Sequence, residues 1–139
     1  MTGKKVNEIQ IGERAIFSKT ISESDVYLYA GITGDFNPAH VNKVYAENTF
    51  FQSRIAHGLL AAGLISTVIG TKLPGPGTIY IEQDLSFTAP VYIGDTISAH
   101  VRVLEVSVPE NRVALETICK NQNGKVVIEG KALVAPPKK

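Results

Sequence analysis

The sequence predicts an α+β domain in which an antiparallel sheet of about five strands wraps around one long buried helix. Three observations lead there. Leu59–Ile69 is apolar nearly all the way round, so the helix it forms has no polar face for water and should be enclosed on most sides. The second half of the chain is a series of alternating or β-branched segments separated by turn residues. Finally, 139 residues with 44% hydrophobic and 19% charged side chains suit a single globular domain, spanning 1–139, that buries a core without staples.

The first strand is expected at Ala15–Ile21, which is β-rich and partly alternating. Ser22-Glu-Ser-Asp25 then reads as a capping box opening a helix over Glu23–Ile32, with Val26, Tyr27, Tyr29 and Ala30 on one broad face. Gly31 and Gly34 weaken that helix and free the backbone to turn. Asp35-Phe-Asn-Pro-Ala-His40 is a loop, because Asn-Pro initiates turns and the residue before proline is pushed out of the helical region. Asn42 caps a short helix through Glu47, and Thr49 starts a further helical turn.

The apolar helix over Leu59–Ile69 ends at Pro74-Gly-Pro-Gly77. Ile55–Thr71 carries no Asp, Glu, Lys or Arg, yet it includes His57, three glycines, Ser66 and Thr67. It is shorter than the roughly 20 apolar residues a bilayer span requires, so no membrane role is expected. Four strands follow, at Thr78–Phe87, Thr96–Val106, Arg112–Lys120 and Val126–Val134, and their short connections suggest one meander. Asn123-Gly124 is a hairpin signal, since both residues tolerate positive φ. The core is expected over about residues 11–135, with Pro136-Pro-Lys-Lys139 frayed.

Charge and cysteine content narrow the function. Lys and Arg total 14 against 13 Asp and Glu, a net charge of +1, which removes a general case for nucleic acid. One cysteine forms no internal disulfide, and the N-terminus has no apolar segment of signal type; a cytoplasmic protein is expected. No Gly-x-Gly-x-x-Gly appears, so nicotinamide and flavin binding have no support.

Groups able to move protons gather in one region. Asp35 and His40 lie five apart in the Asn-Pro loop, and His57-Gly58 opens the apolar helix. An Asp beside a His supplies two groups that accept or donate a proton. A glycine at a helix N-terminus offers an unpaired N–H at the positive end of the dipole, suited to a carbonyl oxygen that becomes an oxyanion. The same residues also have ordinary readings: Asp-x-Asn-Pro is good turn chemistry, and His57 can simply bond a carbonyl. Asp35, His40 and His57 could form a two-His-one-carboxylate metal set, but no i, i+4 pair supports it, and no metal is expected. Two residues elsewhere look ordinary: His100 sits in an alternating strand, and Cys119 reads as a small apolar residue.

Tyr29-Ala-Gly-Ile-Thr-Gly-Asp-Phe-Asn-Pro-Ala-His40, Tyr45-Ala46, Ile55-Ala-His-Gly58 and Phe87-Thr-Ala-Pro-Val-Tyr-Ile-Gly-Asp95 together resemble the MaoC-like family of (R)-specific enoyl-CoA hydratases. The resemblance runs from about Gly12 to Ala135. Two positions depart from it: Ala39 stands where a larger aliphatic is usual, and Asn42 where Asp is frequent. Asn caps about as well as Asp, so Asn42 leaves the chemistry intact.

The resemblance implies a hot-dog fold, a homodimer, an acyl-CoA substrate in fatty acid metabolism, and no cofactor. It implies that water adds across a trans-2-enoyl-CoA to give the (R)-3-hydroxyacyl-CoA, reversibly. Asp35 and His40 would activate the water, in roles that spacing leaves open, and the Gly58 N–H would bind the thioester oxygen. Asn37, His57 and Ser66 would support the loop, although Ser66 more ordinarily bonds a preceding helix carbonyl. Leu60, Leu64 and Ile69 are the candidates for the acyl pocket. A hot-dog acyl-CoA thioesterase is the enzyme alternative. A non-catalytic acyl-thioester binding subunit, or a subunit active only with another chain, is the alternative of a different class.

Overall fold

A computed structural model describes residues 1–139. After a single 3₁₀ turn at Val6–Glu8 come strand β1 (Arg14–Thr20) and helices α1 (Glu23–Thr33), α2 (Pro38–Val41), α3 (Lys43–Glu47) and α4 (Gly58–Thr71). Strands β2 (Ile79–Gln83), β3 (Ser86–Phe87), β4 (Thr96–Ser107), β5 (Arg112–Lys120) and β6 (Val126–Ala135) complete the chain. The six strands form one antiparallel sheet in the order β1-β4-β5-β6-β2, with β3 also pairing β6. Helix α4 packs across β4, β1 and β5.

Local chemistry explains the helix ends. The Ser22 side chain accepts from the Asp25 N–H at 3.1 Å while Asp25 accepts from the Ser22 N–H at 2.9 Å, closing the capping box. Gly34 ends α1 in the left-handed region at φ 82°, where a side chain would be strained. Asn42 caps α3 by accepting from the Tyr45 N–H at 2.9 Å.

The core joins Ala61, Leu64, Ile65, Val68 and Ile69 of α4 to Ile97, Ala99, Val101 and Val103 of β4 and to Val113, Leu115 and Cys119 of β5. Each fully buried Val, Leu or Ile contributes about 1.5–3 kcal/mol of transfer free energy. This is the α+β wrap expected from the sequence, with six strands where about five were expected.

Four expectations need correction. The strand expected over Thr78–Phe87 is two, broken at Asp84-Leu85, where Asp84 turns to pair with Lys131 through N–H to O at 3.0 Å and through its Oδ1 accepting from the Lys131 N–H at 3.0 Å. The four late strands are not one meander, because β2 pairs the far side of β6 and leaves β4-β5-β6 as the meander. The segment Thr88–Asp95 makes that crossing.

The tail does not fray entirely: Pro136 and Pro137 are buried, and the Asn111 side-chain amide donates to the Pro136 carbonyl at 3.0 Å. Finally, α4 is open along Leu59, Gly63, Ser66 and Gly70, a stripe at helical spacing that lies beside the edge strand β2. At the β5–β6 hairpin only Gly124, at φ 77°, takes a positive φ, while the Asn121 side chain accepts from the Asn123 and Lys125 N–H groups.

Candidate active site

The loop after α1 is built by short-range hydrogen bonds. The Asn37 side chain caps α2, accepting from the Ala39 N–H at 3.0 Å, and Pro38 fills the first helical position where no donor is missed. Asp35 Oδ1 accepts from the Asn37 N–H at 3.2 Å, and its carboxylate is otherwise exposed. One turn of α2 then delivers His40 into the protein, where the residue is only 8% exposed.

The strand-like segment before α4 receives that ring. His40 Nδ1–H donates to the Ile55 carbonyl at 2.7 Å, which leaves the Nε2 lone pair free. Ile55 N–H in turn donates to the Ala39 carbonyl at 3.2 Å, and Ala56 N–H to the Val91 carbonyl at 2.7 Å. Arg54 anchors the segment from outside, donating to Glu23 at 2.9 Å and to the Tyr27 hydroxyl at 2.7 Å. His57 Nε2–H donates to the Asp35 carbonyl at 2.9 Å, and its ring stacks on His40 with centroids 3.9 Å apart and planes at 29°.

Gly58 begins α4, and its N–H has no acceptor within the chain. It opens on a cavity of about 560 Å³ lined by Tyr29, Asp35, His40, His57, Leu59 and Phe87 among others, nine of the fifteen lining residues being hydrophobic. No lysine or arginine lines it. The arrangement therefore presents a carboxylate, an imidazole lone pair and a backbone donor to one largely apolar space. That is the equipment for moving a proton near a polarised carbonyl.

The structure thus brings Asp35, His40, His57 and Gly58 together, with Asn37 in the supporting turn. It places the other candidates elsewhere. Leu64 and Ile69 are core residues and Leu60 packs against the core, so none of the three lines this cavity. Ser66 does not touch the loop and makes no hydrogen bond to a preceding carbonyl; it faces a second groove of about 400 Å³ between α4 and β2. Leu59 lines both spaces. Phe87, Leu59, Phe51 and Ile128 are wall residues that the sequence did not single out. The only signal for Phe87 was its place at the head of the Phe-Thr-Ala-Pro segment.

Metal ligation by the same trio is geometrically awkward. A carboxylate oxygen and two ring nitrogens lie within 4.8 Å of one another. Yet stacked imidazoles direct their in-plane lone pairs side by side, not toward one point, and Nδ1 of His40 and Nε2 of His57 are already engaged.

A family model described as MaoC like domain matches residues 6–125. The chain belongs to the MaoC-like family. An (R)-specific enoyl-CoA hydratase of Rhodospirillum rubrum is 56% identical to this MaoC-like chain over 131 residues, covering 94% of it and 90% of the relative. A 3-hydroxybutyryl-CoA dehydratase of Methylorubrum extorquens is 49% identical over 132 residues, covering 95% and 83%. Among solved structures, the R-hydratase PhaJ1 from Pseudomonas aeruginosa in the unliganded form superposes with a TM-score of 0.94 at 43% identity, covering 99% of this chain and 88% of that one. The hot-dog fold implied by the sequence resemblance is the fold the chain adopts.

Proposed function

We propose that this MaoC-like chain is an (R)-specific enoyl-CoA hydratase, adding water to a trans-2-enoyl-CoA and reversing the addition without metal or redox cofactor. The observation that carries the reading is the pinning of His40. Its Nδ1–H is committed to the Ile55 carbonyl at 2.7 Å, so the free Nε2 shares the cavity with the Asp35 carboxylate and the unpaired Gly58 N–H. Relatives named as (R)-specific enoyl-CoA hydratases support it, at 56% identity in Rhodospirillum rubrum and 36% in Aeromonas caviae.

In this reading the thioester oxygen accepts from the Gly58 N–H, and the acyl chain lies along Leu59, Phe87 and Ile128. Water sits between Asp35 and His40. As its oxygen bonds C3, the pair takes one of its protons, and a proton is delivered to C2 on the same face. Hydroxyl on C3 and hydrogen on C2 account for one water, and the Asp35–His40 pair returns to its starting state. Enolate charge that develops on the thioester oxygen is stabilised at Gly58; one such donor is typically worth about 2.7–4 kcal/mol of barrier.

The acting unit in this proposal is a homodimer in the cytoplasm, acting on an acyl-CoA substrate. Supporting this, the edge strand β2 exposes Ile79, Tyr80 and Ile81 beside the open small-residue stripe of α4. Because Leu59 borders both the cavity and this groove, a second copy seated there would also close the cavity wall. Loss of enoyl-thioester absorbance on adding enzyme, with chiral analysis of the product, tests the reaction. Release of free thiol instead would mark a thioesterase, and binding without either change would mark an accessory subunit.

A further inference from the structure

His57 carries two features that cost stability. Its Nδ1 is a buried side-chain nitrogen without a hydrogen-bond partner, in a residue only 3% exposed. A neutral imidazole has one N–H and one lone pair, and the Asp35 carbonyl at 2.9 Å places the proton on Nε2. Nδ1 is therefore an unsatisfied buried acceptor, an arrangement native proteins mostly avoid. His57 also occupies the N-cap position of α4 and makes no side-chain capping bond, where Ser, Thr, Asp or Asn would ordinarily do so.

What the ring touches explains why a histidine stands there. One face stacks on His40 at 3.9 Å, and Tyr29 tilts against the ring at 4.7 Å and 52°. The Nε2 edge bonds the main chain of Asp35, and the next residue is Gly58. A flat face and a donor on the far edge are needed together. Phenylalanine would supply only the face, and glutamine only the donor.

We propose that His57 is a positioning residue that holds the His40 ring plane, the Asp35 main chain and the start of α4 in one fixed geometry, so that both proton-transfer groups and the Gly58 N–H address the same substrate. The proposal rests on the hydratase reading of this site. Within this proposal His57 acts through the groups it holds and takes no proton itself.

The test compares the full-length wild type with His57→Phe and His57→Gln, using but-2-enoyl-CoA as substrate and nitrogen-15 NMR of the histidine rings at neutral pH. The expected result is a kcat loss on the order of a hundredfold in His57→Phe with KM little changed, since misplacement of catalytic groups by about 1 Å has that effect. His57→Gln should lose less, because it still holds Asp35, and it carries the comparison if the Phe variant does not fold. The wild-type spectrum should show His57 protonated on Nε2 and bare on Nδ1. Wild-type kcat in a folded His57→Phe or His57→Gln protein, or a wild-type ring protonated on Nδ1, would overturn the proposal. If the wild type turns over no enoyl thioester while the Nε2–H tautomer is present and the His40 resonances move in the variants, the hydratase reading fails and the positioning role stands.

Discussion

The ring of Phe87 lies so close to the Cα of Gly58 that a Cβ added there would stand 2.7 Å from both Cδ1 and Cε1 of the ring. Glycine at this position is thus a requirement of packing, while the free N–H follows from its place at the start of α4, as it would for any residue but proline. Gly58→Ala should destabilise the protein by about 1–3 kcal/mol through overpacking, and Phe87→Ala in the same chain should restore part of that loss. Urea unfolding of the two single variants and the double variant measures the coupling. Strict additivity would show that the two residues do not press on each other.

Cys119 is fully buried in β5, and desolvation pushes its thiol up to about 12. The thiolate is the reactive form, so the native protein should resist alkylation by iodoacetamide and react only when unfolded. Mass spectrometry after labelling with and without denaturant checks this. Rapid labelling of the native chain would mean that β5 opens readily.

The side-chain bond from Lys19 holds the Asp25 carboxyl below its ordinary range, with the Ser22 N–H adding to the effect. A lowered folded-state pKa means stability that is present above the unfolded value, about 4, and lost as pH falls through the folded value. The Lys19–Asp25 pair lies at the surface with both side chains partly exposed, so its share is at most about 1 kcal/mol. Asp25→Asn should flatten the acid side of the stability curve below pH about 4 and leave neutral-pH activity unchanged. An acid limb identical to the wild type would remove Asp25 from the account.

The exposed β2 edge predicts its own disruption. Ile81→Lys places a charge on an edge strand, a device that blocks edge-to-edge pairing. Sedimentation equilibrium should give twice the chain mass for the wild type and the single chain mass for the variant. A monomeric wild type would contradict the proposed assembly.

Much of this architecture was legible because it is local. Ser22 and Asn42 cap helices through side chains that bond residues three positions away, and such contacts are visible as sequence spacing, whereas Asn37, read only as holding a loop, caps the short helix α2. The clustering of Asp35, His40 and Gly58 was legible for a different reason, since the loop motif and the helix start each carry a signal of their own. Long-range pairing was less accessible. Nothing in Thr78–Phe87 says that Asp84 will turn to meet Lys131, or that the chain crosses to put β2 outside β6.

The acyl wall shows a sharper limit. A helix that is apolar on nearly every face has no period to say which face meets the core. Leu60, Leu64 and Ile69 were therefore indistinguishable from Leu59, which proves to be the α4 side chain that lines the cavity. Pro136 and Pro137 likewise looked terminal and loose, and only the fold shows Asn111 and Gly77 waiting for them.

The central claim is that Asp35 and His40 hydrate an enoyl thioester held at Gly58. Its most direct measurement is the initial rate of enoyl-thioester absorbance loss for wild type and Asp35→Asn at equal folded concentration, with thermal unfolding of both. Asp35 is exposed and its Oδ1 bond to the Asn37 N–H survives in Asn, so stability should stay close to wild type. The account predicts (R)-3-hydroxyacyl-CoA from the wild type and loss of most activity in the variant, on the order of the 10²–10⁴-fold typical of a lost acid–base group. Near-full turnover by Asp35→Asn would contradict it.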